Sequence, residues 1–270
     1  CTDQEFERLT ARLDLSAPID SDKVKVNWSN LRFVYYPNVG ILTLTNSLHK
    51  FYNLEFNDSI RTAVNHDDFT LSNFYTVVDY LSEYVFEKAA TDLTITGRFE
   101  FGLNVYTDTH NPFDLLCKYE SIITTHANQF FTVPPYRGKP QQRNCHFSDW
   151  FFKGYNKGKQ AELLNVNLIR FEVVVNELRK LRNILNLAAV SLADVCTQES
   201  WNKLFSFLVK TYDSIRKIPE IETLQLNIAE INAIYGYCNK LMRADLKKHL
   251  SRHYFDSLNK QNKTIYDRYN

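Results

Sequence analysis

Nothing restricts the fold of this chain as much as a strict two-residue alternation over residues 93–106. Phe99, Phe101, Leu103 and Val105 point one way, and Arg98, Glu100, Gly102 and Asn104 point the other. Successive side chains of a β-strand face opposite sides, so this segment reads as a strand with one apolar and one polar face. Two further strands are expected at about 146–156 and 166–176. On the first, Phe151, Lys153, Tyr155 and Lys157 share a face by the same period. On the second, Arg170 and Glu172 share one face while Ile169, Phe171 and Val173 take the other. If all three strands belong to one sheet, a tyrosine, several cations and two glutamates meet on a single polar surface. The opposite face is then apolar and covered by helices such as the one expected at 70–90.

The remaining elements follow from local signals. A helix is expected at 3–13, capped by Thr2 or Asp3. Strands are expected at 23–28, 31–36 and 40–45, punctuated by Pro37-Asn38, with a connection at 47–52. In 70–90, Phe74, Val77, Val78, Leu81, Tyr84 and Val85 recur at helical spacing, with Thr70 or Ser72 as cap. Residues 113–120 read as a short helix and 132–144 as a basic, proline-containing loop. Helical spacing then dominates 177–187, 198–215, 220–231 and 233–250. The expected division is an α+β region over 1–190 and a helical region over 191–270.

Composition limits the function. The chain has 270 residues, 44% hydrophobic and 23% charged, with seven Gly and seven Pro, which suits one large or two small folded domains rather than a disordered chain. The 19 Phe, 16 Tyr and 3 Trp are mostly core residues, with base stacking the minority use. Net charge is +1, but residues 137–182 hold ten Lys and Arg against four acids, a local +6. That unevenness points to an anionic partner at one place. Cys1, Cys117, Cys145, Cys196 and Cys238 are widely spaced, which argues against a disulfide framework and a cysteine zinc site and for reduced thiols in the cytoplasm. No apolar run approaches membrane-spanning length, and no secretory leader is read. The chain begins at Cys1 rather than Met, so its natural N-terminus is expected upstream.

The polar set suits phosphoryl transfer. A phenol is a weak nucleophile until its phenolate is favoured. Two carboxylates hold a hard divalent cation, and Lys and Arg bind non-bridging phosphate oxygens. Arg98, Lys153, Lys159, Arg170, Arg137, Lys139 and Arg143 are the candidate DNA contacts. Taken singly, an Arg-x-Glu on a strand is a common surface ion pair, and a tyrosine at a strand end is commonly structural.

The order of these motifs resembles a known family. Ser148-Asp149, then Tyr155-Asn156-Lys157, then Ile169-Arg170-Phe171-Glu172, resemble the core of the rolling-circle replication initiators, the replication proteins of small plasmids and filamentous phages. Arg98-Phe99-Glu100 with Asn104 resembles that family's earlier acidic strand. Tyr35-Tyr36-Pro37-Asn38-Val39, the helix before Arg98, and Trp201-Asn202-Lys203-Leu204-Phe205-Ser206-Phe207 resemble the phage proteins, in order across roughly residues 30–260.

The resemblance implies an α+β fold around an antiparallel sheet with the helical region appended, and a nickase that cuts one strand at a replication origin. Tyr155 would be the nucleophile and Lys157 a phosphate or phenolate stabiliser. Glu100 and Glu172 would be ligands of Mg²⁺ or Mn²⁺, with His146 weighed as a third. Partners would be origin DNA as a single or nicked strand, a host helicase and a second copy of the chain. Two departures stand out: Glu100 replaces an aspartate, and Asn104 replaces a second carboxylate. A non-catalytic DNA-binding relative and a structural interaction module are the competing readings.

Overall fold

A computed structural model describes residues 1–15, 22–107, 111–123, 127–136, 141–163, 166–217, 226–238 and 247–269. The fold is α+β, with an antiparallel sheet and C-terminal helices. The chain divides into two compact units, Cys1–Gly97 with Leu181–Leu204, and Arg98–Lys180 with Phe205–Asn270. The expected single change near residue 190 does not coincide with this division, because the chain returns to the first unit after residue 180.

In the first unit, helix α1 (Asp3–Arg12) starts at a capping box between Thr2 and Glu5. Strands β1 (Val24–Trp28), β2 (Leu31–Tyr36) and β3 (Ile41–Thr45) form an antiparallel meander. The turn between β2 and β3 ends at Gly40, whose φ of 62° suits a residue without a Cβ. The expected connection at 47–52 is instead helix α2 (Leu48–Glu55), because Ser47 caps it by accepting from the Lys50 amide. Helix α3 (Leu71–Asp79) is capped by Thr70 and runs into a π-helical turn, Tyr80–Phe86, which stops at Glu87 in a left-handed conformation. Phe6, Phe33, Tyr35, Phe51, Val77 and Leu81 close the core of this unit.

The second unit carries seven described strands in the order β10-β5-β6-β7-β8-β9-β4, every pairing antiparallel. They are β4 (Phe99–Tyr106), β5 (Tyr119–Ile123), β6 (Ala127–Val133), β7 (Gln142–His146), β8 (Trp150–Asn156), β9 (Leu168–Val175) and β10 (Ile215–Lys217). Helix α4 (Pro112–Cys117) ends before residue 119, so the expected helix at 113–120 is helical to Cys117 and its last two residues begin β5. The expected loop 132–144 contains the end of β6 and the start of β7. Between β8 and β9 lies the single turn α5 (Lys157–Gln160).

The later helices are α6 (Leu178–Leu185), α7 (Leu192–Val195), α8 (Gln198–Asp213), α9 (Ile228–Cys238) and α10 (Arg252–Tyr269). The helix expected at 220–231 lies partly outside the described residues, as does that at 233–250. Within the unit, α9 and α10 meet through Ile234, Tyr237 and Tyr266.

One sheet face is apolar. Phe152, Phe171 and Phe130 stack there with Tyr119 of β5 and Tyr212 of α8. Leu116 of α4 packs over Gly154, where a Cβ would lie 2.8 Å from its Cδ2. The cover described within this unit is thus α4 and Tyr212, whereas the helix expected for that task, at 70–90, belongs to the other unit.

Candidate functional site

The opposite sheet face gathers the polar residues, and strand register explains how. Tyr155 pairs with Arg170, which pairs with Asn104; Lys153 pairs with Glu172, which pairs with Gly102. Three strands therefore bring residues 15 to 70 positions apart into two adjacent rows. Gly102 is required where it stands: a Cβ there would fall 2.2 Å from the Phe171 carbonyl oxygen and 2.7 Å from Glu172 Cγ.

Glu172 is the centre of the cluster. Its Oε1 accepts from Arg170 Nε at 2.6 Å and from the Tyr155 hydroxyl at 3.3 Å. Its Oε2 lies 2.6 Å from Lys153 Nζ, an ion pair off the hydrogen-bonding direction. The same ammonium donates to Glu100 Oε2 at 3.2 Å, and Arg98 pairs with Glu100 Oε1 at 2.5 Å. Arg170 Nη1 donates to Asn104 Oδ1 at 3.0 Å. The result is a chain of alternating charge, Arg170–Glu172–Lys153–Glu100–Arg98, running from buried to exposed.

The environment sets the protonation states. Burial alone would raise the Glu172 carboxyl, but the Lys153 and Arg170 cations override it and hold it at about 2. Tyr155, 5% exposed, is pushed above the ordinary phenol range by burial and by the Glu172 charge, with Arg170 opposing. In this arrangement Tyr155 is a neutral phenol that donates to a carboxylate.

Most expected site residues meet here: Tyr155, Glu172, Glu100, Arg98, Lys153 and Arg170. Others do not. Lys157 is not on the strand, because Asn156 ends β8 and caps α5 by accepting from the Lys159 amide at 2.8 Å. Lys157 is buried, and its Nζ donates to Gln160 Oε1 at 2.9 Å. Lys159 is exposed on the same turn. Arg143 faces the apolar side, pairing with Gly154, and donates to the Tyr119 carbonyl at 2.7 Å and Thr132 Oγ1 at 3.0 Å. Arg137 and Lys139 lie outside the described residues. His146 does not join the carboxylates; its ring sits between Phe131 and Phe151, with centroids at 5.0 and 4.6 Å. Asn144, buried in register with Lys153, is a residue of this face that the sequence reading misses. The two-residue period from Cys145 and His146 finds it once β7 is recognised.

Among the described residues, no three His, Cys, Asp or Glu side chains are placed to hold a metal ion. Two carboxylates do converge on one cationic point, since Glu172 and Glu100 share the Lys153 ammonium at 2.6 and 3.2 Å. A divalent cation would have to displace that ammonium to be held by the pair. Among the described residues no helix is long and apolar enough to cross a membrane. No family model, no characterised protein and no solved structure matches this chain.

Proposed function

We propose that the protein is a DNA strand transferase that nicks one strand at a replication origin through Tyr155 and later rejoins it, as a rolling-circle initiator does. One observation carries the reading: the Tyr155 hydroxyl lies 3.3 Å from Glu172 Oε1, beside Lys153 and Arg170, on one sheet face. A phosphodiester entering this cluster competes with Glu172 for the two cations. As Lys153 and Arg170 turn to phosphate oxygens, Glu172 loses what holds its carboxyl low and becomes a better base. The Tyr155 proton then passes to Glu172. A bond forms between Tyr155 Oη and phosphorus, and the bond to the 3′-oxygen breaks. That oxygen leaves as a 3′-hydroxyl with a proton from water, and the 5′-phosphate stays on tyrosine.

Mg²⁺ or Mn²⁺ held by Glu100 and Glu172 would neutralise phosphate charge and favour the Tyr155 phenolate, and the Tyr155 proton would then pass to water instead of to Glu172. The reading puts the protein in the cytoplasm on replicating DNA, with a host helicase and a second copy of the chain as further partners.

The test is a denaturing gel of protein with labelled single-stranded DNA from its own replicon, with and without divalent metal. A covalent adduct that Tyr155→Phe abolishes is the expected result. An adduct that persists in Tyr155→Phe would mean that another tyrosine attacks. A second reading, a DNA-binding relative without chemistry, is favoured by the burial of Tyr155 and the double pairing of Glu172. It predicts retention of DNA with no adduct under any metal.

A further inference from the structure

The polar face carries more than charge. On the side of Tyr155, β6 presents Phe131 in the row of Asn144 and Lys153, and the next row holds His146 on β7 and Phe151 on β8. His146 stacks on Phe151 at 4.6 Å and 20°. Phe131 leans against His146 at 5.0 Å, splayed by 52°. The Arg98 guanidinium closes the other end, 5.5 Å from the Phe151 centroid. These four groups make a column of π surfaces across the sheet. Phe151 and Tyr155 are four residues apart on one strand, so the column passes about 13 Å from the phenol.

The column is open where a core would be closed. Phe131 is 45% exposed and the Arg98 side chain 53%, and His146 is also exposed. Their neighbours on the same strands, Phe130 and Phe152, point the other way and are buried in the apolar core. The rings on the polar face therefore contribute little to that core. Partial burial of its ring holds His146 below its ordinary value, which favours the neutral imidazole at neutral pH.

We infer that this column seats unpaired bases of single-stranded DNA, with Phe131 as its open stacking end and Arg98 as its cationic end. The observations select this occupant. Ring faces next to a guanidinium match base faces next to phosphate. The surrounding stretch 137–182 carries a net +6, and the acid beside the column, Glu100, is already paired with Arg98 and Lys153. A duplex keeps its base faces stacked on one another and has none to offer. Stacking tolerates any base, so the column positions the strand rather than reading it. The choice of DNA rests on the proposed function; the stacking itself rests on the contacts.

The test measures fluorescence anisotropy of labelled oligothymidylate, oligouridylate and a blunt duplex with the full chain. Phe131→Ala is expected to weaken oligothymidylate binding about ten-fold, leave duplex binding unchanged and leave the melting temperature near wild type, because the ring is exposed. Phe131→Trp should restore affinity, while Phe131→Leu should not. Unchanged binding in Phe131→Ala, or no oligothymidylate binding by the wild type, overturns the inference. Preference for oligouridylate overturns the DNA assignment. The adduct assay separates the two readings. If no adduct forms but Phe131→Ala loses oligothymidylate, the nickase falls and the column stands. If the adduct forms and Phe131→Ala binds normally, the column falls alone.

Discussion

Glu172 shows how much one carboxylate can govern. Only 5% of it is exposed, and an uncompensated anion there would protonate rather than stay charged. Lys153 and Arg170 reverse that preference, holding the group at about 2 against an ordinary 4.5. The folded state therefore binds fewer protons than the unfolded chain between those values. The resulting stability is complete above about pH 4.5 and is lost as pH falls towards 2. Its size is on the order of 3 kcal/mol, since a tenfold change in proton affinity corresponds to about 1.4 kcal/mol. Urea unfolding of the wild type should weaken across this window more steeply than unfolding of Glu172→Gln. At neutral pH that variant should be about 3 kcal/mol less stable, because it leaves Arg170 without a charged partner and Lys153 with Glu100 alone. Equal pH slopes in the two proteins would show that Glu172 is not held low.

The strand pair β4–β9 turns this residue into a site, and Gly102 is the position that allows it. Gly102→Ala must push β4 away from the Phe171 carbonyl or displace Glu172. The expected cost is about 2 kcal/mol or more, read from urea midpoints. The alternation that marks β4 and the polar face of β9 is legible in the sequence because each strand divides its own residues between two environments. The register that joins Tyr155, Arg170 and Asn104 is not, because it depends on pairings between distant segments rather than on local pattern. The end of β6 and the start of β7 stay hidden under prolines and polar residues, Thr132 to Asn144, whose composition reads as loop. Lys157 leaves the shared face for a local reason: the two-residue period cannot be carried past Asn156, whose side chain caps a turn and ends the strand. Charge alone makes Arg143 an expected DNA contact, but β7 turns it to the apolar face.

At the scale of the molecule the question is how many of its cations DNA can use. The net charge is +1, and the +6 over residues 137–182 is offset by −5 elsewhere, so long-range attraction to DNA is weak. Much of the local excess is already engaged: Lys153 and Arg170 with Glu172, Arg179 with Asp149, Arg143 with the Tyr119 carbonyl. If the cluster yields only Lys153, Arg170, Arg98 and Lys159 to phosphate, single-stranded DNA meets about three or four cations. Each such contact contributes about −0.7 to the slope of log K against log salt. Oligothymidylate titrations over a range of salt should then give a slope of about −2 to −3, and Arg98→Ala should reduce its magnitude by about 0.7. A slope near about −7 would mean that the whole basic stretch 137–182 lies along the strand, and that the ion pairs around Glu172 open far more widely than the mechanism requires. Binding that ignores salt would remove phosphate from the site altogether and leave the charge chain from Arg170 to Arg98 as a device of the fold alone.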